Sequence, residues 1–209
     1  MKFYDCKPAP SPRLVRIFIA EKGLEIPTQE VDLRSGEHLS PAFRAVNPHC
    51  TVPVLETDEG LRLTSTQGCW RYLEETCPEP PLLGGTAAEK ARIADLIWRL
   101  EIGGFQPVGN ALRNAAAGFK DRAVTGPDPV AQIPELAERG KTMAGRFLEG
   151  FEALLDGQPY LAGDAFTAAD IYGLVIVDFA KWIKLSLPEG AANAQRWYES
   201  VSSRPSAKL

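Results

Sequence analysis

With 209 residues, 44% of them hydrophobic and 24% charged, the chain has ordinary globular make-up and length for one large domain or two small ones. A net charge of -4 and a pI near 5.3 argue against a nucleic-acid partner, which requires a basic face. No apolar run reaches the roughly 18 residues of a spanning helix, and the start MKFYDCKPAP lacks a signal peptide's apolar core, so no membrane partner is expected. The four cysteines, Cys6, Cys50, Cys69 and Cys77, form no CxxC pair, and with only two histidines a metal site is not expected. They read as free thiols in a reducing cytoplasm.

In chain order, Lys2–Tyr4 reads as a short strand. Leu14, Ile17 and Phe18 then share one helix face over Leu14–Glu21, which Gly23 terminates. Thr28–Leu33 reads as a second strand and is followed by a short helix. Val52–Leu55 and Leu61–Leu63 flank Asp58-Glu59-Gly60 as an antiparallel hairpin, and a helix from about Thr66 to Glu75 follows. Residues 78–86, rich in proline and glycine, cannot continue that helix and read as a linker between domains at 1–77 and 87–209. Beyond it lie three helical stripes: Ile93, Leu96, Ile97, Leu100; then Leu136, Met143, Phe147, Phe151, Leu154; then Ile171, Leu174, Val175, Phe179. Gly103-Gly104 and Pro107 are expected to interrupt the first long helix, and 115–134 reads as a loop.

Two segments carry chemistry. In Asn47–Leu55 (NPHCTVPVL), Pro53 cannot donate to a strand ladder and sits at an edge or bulge. With a cis bond before it the backbone of Val52 turns outward as an edge free to pair with a peptide; otherwise the segment is a turn before a strand. Further on, Thr64-Ser65-Thr66-Gln67 opens a helix. Thr64 and Gln67 fit the S/T-x-x-Q capping box. A helix start with free N–H groups and a serine hydroxyl also suits a ligand carboxylate. Together they fit a small acidic peptide.

The pattern N-P-x-x-x-V-P-x-L, a hairpin, then x-S at a helix start resembles the front domain of the cytosolic glutathione transferases. Arg13–Leu24, the Thr167-Ala168-Ala169-Asp170 capping box and the closing Arg204–Lys208 resemble other parts of that family, so the match spans nearly the whole chain. The resemblance implies an α/β thioredoxin-like N-terminal domain followed by an all-α helical-bundle C-terminal domain. It implies glutathione as co-substrate, a small hydrophobic electrophile and a homodimer. By the same resemblance Val52 pairs by its backbone with the cysteinyl part of glutathione and Ser65 holds the γ-glutamyl carboxylate. Cys50, Thr51, Pro53 and Thr64 complete the binding set.

Such an enzyme must stabilise a thiolate, because a free thiol is only about 3% ionised at pH 7. The position of the usual activating serine is Ala9, which has no donor. Ser11 is the catalytic candidate, as the thiolate's hydrogen-bond donor, and it equally reads as a helix N-cap ahead of Pro12. Cys6 is the alternative, as a thiol–disulfide oxidoreductase, or else a buried strand-end residue. Thr64 stands where the family has a glutamate or glutamine, and Cys50 where it has a histidine or glycine; His49 is a weaker substitute. These departures leave a non-catalytic binding protein as a further alternative. Trp98, Ile102, Phe105, Tyr172 and Trp182 are candidates to receive the electrophile.

Overall fold

The computed structural model describes all 209 residues. They divide into two compact units: Met1–Pro81 with Thr125–Asp128 and Leu209, and Leu82–Val124 with Pro129–Lys208.

In the first unit the elements run β1 (Lys2–Asp5), α1 (Pro10–Glu21), β2 (Thr28–Glu30), α2 (Pro41–Val46), β3 (Val54–Glu56), β4 (Arg62–Leu63) and α3 (Thr66–Thr76). This is the order expected from the sequence. The four strands form one sheet in the order β2-β1-β3-β4, with β1 parallel to β2 and antiparallel to β3, and β3 antiparallel to β4. Three strands are shorter than expected, β4 losing Leu61 from its start. β2 stops at Glu30, and β3 begins only after Pro53, where ladder donors resume.

One side of the sheet is covered by α1 and α3, whose apolar faces meet. Trp70 stacks on Phe18 with centroids 5.4 Å apart, and its Nε1 donates to the Leu14 carbonyl at 3.2 Å. The other side buries Tyr4, Val31, Phe43 and Val54 as a cluster against which Val52 packs. Past the end of α1, Lys22 is buried with its Nζ 2.6 Å from Glu74 Oε2 of α3, and it donates to the Pro78 and Pro80 carbonyls at 3.1 and 2.5 Å. The buried ammonium thus has two carbonyl acceptors and a carboxylate counterion inside the fold.

The second unit is helical: α4 (Ala87–Leu100), α5 (Gln106–Ala115), α6 (Pro134–Leu154), α7 (Ala168–Ala180) and α8 (Ala192–Ser202). Between α4 and α5, Glu101–Phe105 forms a π-helical turn where Gly103-Gly104 and Pro107 announce an interruption. The stripe expected for α6 is partly corrected. Its buried face is Ala137, Gly140, Ala144, Leu148 and Phe151, while Met143 is 43% exposed. Small residues face inward because α5 comes so close. A Cβ on Gly140 would lie 2.7 Å from the Pro107 carbonyl oxygen and from the Ala111 nitrogen.

Helix α7 is buried almost throughout, and its start is held by Asp170. One carboxylate oxygen accepts from Thr167 N at 2.9 Å and the other from Leu161 N at 2.9 Å and Trp197 Nε1 at 2.8 Å. Thr167 Oγ1 in turn accepts from Ala169 N at 3.3 Å. This is the expected capping box, extended by two long-range donors.

The start of α8 has a borrowed cap. Glu152 of α6 accepts from Asn193 N at 3.1 Å and Ala194 N at 2.9 Å. These amides, Ala194 first, hold its carboxyl below the usual range. A depressed folded-state value means the contact stabilises the fold above the ordinary glutamate pKa and is lost as pH falls through the folded one. In urea titrations, Glu152→Gln is therefore expected to be less stable than the wild type near pH 7. The gap should close as pH drops below about 4. A gap that stays constant with pH would show that the carboxylate charge contributes nothing there.

Candidate functional site

Strand pairing alone brings the candidate residues of the first unit to one end of its sheet. β1 ends at Asp5 and leads through four residues into α1. Because Tyr4 pairs antiparallel with Val54, the end of β1 lies beside the start of β3. Because Leu55 pairs with Leu63, continuing that register by two residues sets Pro53 opposite Ser65. The start of α1, the Val52–Pro53 corner and the start of α3 thus converge from three separate parts of the chain.

At the middle position, a turn built on Asn47 delivers Val52. Asn47 is fully buried; its Nδ2 donates to Thr51 O at 2.8 Å and to Thr51 Oγ1 at 3.1 Å, and its Oδ1 accepts from His49 N at 3.0 Å. The turn passes through Cys50 at φ 54, the left-handed region, and the buried Cys50 thiol faces the Pro48 carbonyl at 3.7 Å. Cys50 thus spends its side chain inside the turn, and His49 beside it is exposed. The Val52–Pro53 bond is cis, and the N–H and C=O of half-exposed Val52 pair with no other backbone group. An unpaired peptide edge of this kind suits an extended peptide ligand.

At the start of α3 the sequence reading is corrected by one residue. The helix begins at Thr66 with Ser65, not Thr64, as its cap, and Ser65 Oγ accepts from Gly68 N at 3.1 Å. The acceptor of the exposed Ser65 hydroxyl is therefore used, while its O–H and the N–H groups of Thr66 and Gln67 stay open. Gly68 leaves this cap its room, since a Cβ there would sit 3.0 Å from Ser65 Oγ. Thr64 is half-buried immediately before this cap. Three open donors at a helix start suit an anion. Cys69 behind it is closed off, its thiol facing the Leu63 carbonyl at 3.5 Å and pushed by burial up to about 12.

At the start of α1 the N-cap is Ala9, which has no capping side chain, and Pro10 is the first helical residue. Ser11 is therefore not the cap; it sits second in the first turn, because Pro10 already supplies the helical φ. Prolines at 8, 10 and 12 have no N–H, the Ala9 amide bonds to Cys6 O at 2.8 Å, and the Arg13 amide to Ala9 O at 3.4 Å. Ser11 alone keeps both an amide and a hydroxyl without a partner in the chain. Cys6 is only 4% exposed, and burial pushes its thiol up, which opposes use as a nucleophile.

In the helical unit, Trp98, Ile102 and Trp182 are 63%, 42% and 52% exposed, whereas Tyr172 is buried. Phe105 bridges Tyr172 and Phe179 at 5.7 and 5.5 Å, and Phe179 meets Trp182 at 5.5 Å. The Tyr172 hydroxyl donates to Glu101, and burial beside that carboxylate pushes it upward. His38 lies buried in the short turn Glu37–Leu39 that precedes α2.

Residues 10–76 match the glutathione S-transferase N-terminal domain and residues 118–205 the glutathione S-transferase C-terminal domain. The chain is 34% identical over its whole length to glutathione S-transferase 2 of Saccharomyces cerevisiae, covering 88% of that protein. It is 30% identical to glutathione S-transferase F9 of Arabidopsis thaliana, over 95% of this chain and 90% of that one. Among solved structures, Gtt2 from Saccharomyces cerevisiae superposes with a TM-score of 0.90 at 32% identity, over 100% of this chain and 99% of that one. A glutathione S-transferase domain-containing protein of Marinobacter aquaeolei gives 0.90 at 34%, over 99% and 100%. With both domains matched in order and relatives covered nearly end to end, the chain belongs to the glutathione S-transferase family.

Proposed function

We propose that the protein conjugates glutathione to a small hydrophobic electrophile. The observation that carries this reading is the convergence, at one sheet end, of an unpaired peptide edge at Val52, an anion site at Ser65 and an unengaged donor pair at Ser11. In this reading the edge takes the cysteinyl backbone, with Thr51 and Pro53 shaping it and Cys50 holding the turn. Ser65, beside Thr64, takes the γ-glutamyl carboxylate. Ser11 stabilises the thiolate once its proton has left to solvent. The sulfur then bonds the electrophilic carbon as the leaving group departs. Burial of Cys6 supports conjugation over disulfide exchange. The exposed pair Trp98 and Ile102, one turn apart, supports assembly as a homodimer, and the free cysteines support work in the cytoplasm.

Titration with glutathione, followed by assay against aryl halides, epoxides and disulfides, tests this. Binding in the millimolar range or tighter, with turnover of at least one halide or epoxide, is the expected result. No binding at millimolar ligand by folded protein would sink the reading.

Ser65 offers a sharper check because glycine also caps helices. Ser65→Gly should cost only a few tenths of a kcal/mol of stability. It should weaken glutathione binding about tenfold or more, through loss of a charge-assisted hydrogen bond. Unchanged affinity would reduce Ser65 to a helix cap.

A further inference from the structure

The loop that leads to Ser11 is held by hydrogen bonds along its length, and one pair of side chains ties it to α1. Only four residues, Cys6–Ala9, separate β1 from α1. Their amides are all consumed or missing: Cys6 N donates to Asp5 Oδ1 at 2.7 Å, Lys7 N to Glu30 Oε1 at 2.8 Å, Ala9 N to Cys6 O at 2.8 Å, and Pro8 has none. Arg16, on the second turn of α1, reaches back over this loop. Its Nη1 donates to Asp5 Oδ1 and Oδ2 at 2.6 and 2.7 Å, and its Nη2 to Lys7 O at 3.1 Å and Leu209 O at 3.4 Å. Asp5 is 2% exposed and the Arg16 side chain 12%, so the pair is shielded from solvent competition.

We infer that Arg16 and Asp5 are positioning residues that aim the Ser11 donors at the glutathione sulfur, an inference resting on the role proposed for Ser11. Neither side chain need touch the ligand. Ala9 caps α1 without a side chain, so no capping side chain fixes where the first turn points. The planar guanidinium supplies that constraint by bridging the last residue of β1, the loop carbonyl and the helix that carries Ser11. An ammonium on a flexible stem is a single point charge and cannot span both acceptors with a fixed fork. Donors displaced by a fraction of an ångström lose much of their grip on a developing anion.

The test is Arg16→Lys, read by glutathione affinity, kcat and the pH at which the bound thiol ionises, followed by thiolate absorbance. Affinity should stay within about threefold, because Val52 and Ser65 are untouched. By contrast kcat should fall about tenfold and the bound-thiol pKa rise by about one unit. A folded variant with wild-type kcat and thiol pKa overturns the inference, as does a kcat loss without any pKa change. Should Arg16→Lys fail to fold, Asp5→Asn, which keeps one acceptor oxygen for Cys6 N but sets an NH2 donor against Arg16 Nη1, is read against the same two outcomes. Ser11→Ala run in parallel separates the two failures. If Ser11→Ala leaves the thiol pKa alone, the underlying role of Ser11 falls and this inference with it. If Ser11→Ala moves it and Arg16→Lys does not, only the positioning role falls.

Discussion

Ser11→Ala is expected to lower kcat/KM by roughly 10- to 150-fold near neutral pH, the equivalent of one hydrogen bond to a charged acceptor at about 1.5–3 kcal/mol. The reason is the pattern of prolines. With Pro8, Pro10 and Pro12 lacking amides, and the Ala9 amide bonded to Cys6 O, Ser11 supplies the hydroxyl and the open amide of this helix start. Alanine removes the hydroxyl and leaves the amide, so a residual enhancement should remain. The pH dependence gives the decisive signature. Losing a donor to the thiolate raises the bound-thiol pKa, so the variant's deficit should be largest below the free thiol's value of about 8.5 and shrink above it. Ser11→Thr, which keeps a hydroxyl, should recover most of the rate. Pro12→Ala, which adds an amide to the same turn, should not lose it. A Ser11→Ala enzyme with wild-type kcat/KM at pH 6.5 would remove Ser11 from the chemistry.

Lys22→Met should destabilise the protein by about 3–5 kcal/mol, because it strands a buried charge rather than merely deleting a contact. The ammonium neutralises Glu74, which is 8% exposed, and satisfies the Pro78 and Pro80 carbonyls. Its loss removes the countercharge beside the Glu74 carboxylate and the donor of two carbonyls, in a place water reaches poorly. For a chain of this length the melting temperature should fall by roughly 10 °C. Glu74→Gln should cost less, since an amide oxygen still accepts from Lys22. The double variant Lys22→Met with Glu74→Leu should recover more than half of the single-site loss, with the orphaned carbonyls accounting for the rest. If Lys22→Met and Glu74→Leu, each measured alone, simply add in the double variant, the pair is not coupled and the argument fails. Glutathione affinity, measured on protein that remains folded, should be unaffected.

Much of this architecture is legible in the residues themselves. The order of strands and helices follows from apolar periodicity and from glycine and proline placement, because those signals act between near neighbours. Gly23 ends α1, Pro53 delays β3, and Thr167-Ala168-Ala169-Asp170 starts α7, all by chemistry reaching at most four residues. Family resemblance rests on the same local signatures, which is why NPHCTVPVL and the serine at the start of α3 were enough to mark the front unit.

Where several starts were chemically equivalent, tertiary structure made the choice. Thr64 and Ser65 can each cap a helix, and β4 pairing with β3 ends in the register that leaves the task to Ser65. Ser11 and Ala9 both precede a proline, and in the fold Ala9 is the cap and the helix starts at Pro10. The small-residue face of α6 shows itself only where Gly140 meets α5, because close approach is a property of two helices and not of one. The burial of Lys22 is likewise invisible in a charged residue at a helix end until α3 and the following prolines supply its acceptors. The sequence by itself determined the elements, their order and the family. Only the fold decided which residues meet at the sheet end, because that depends on strand register and burial between positions dozens of residues apart.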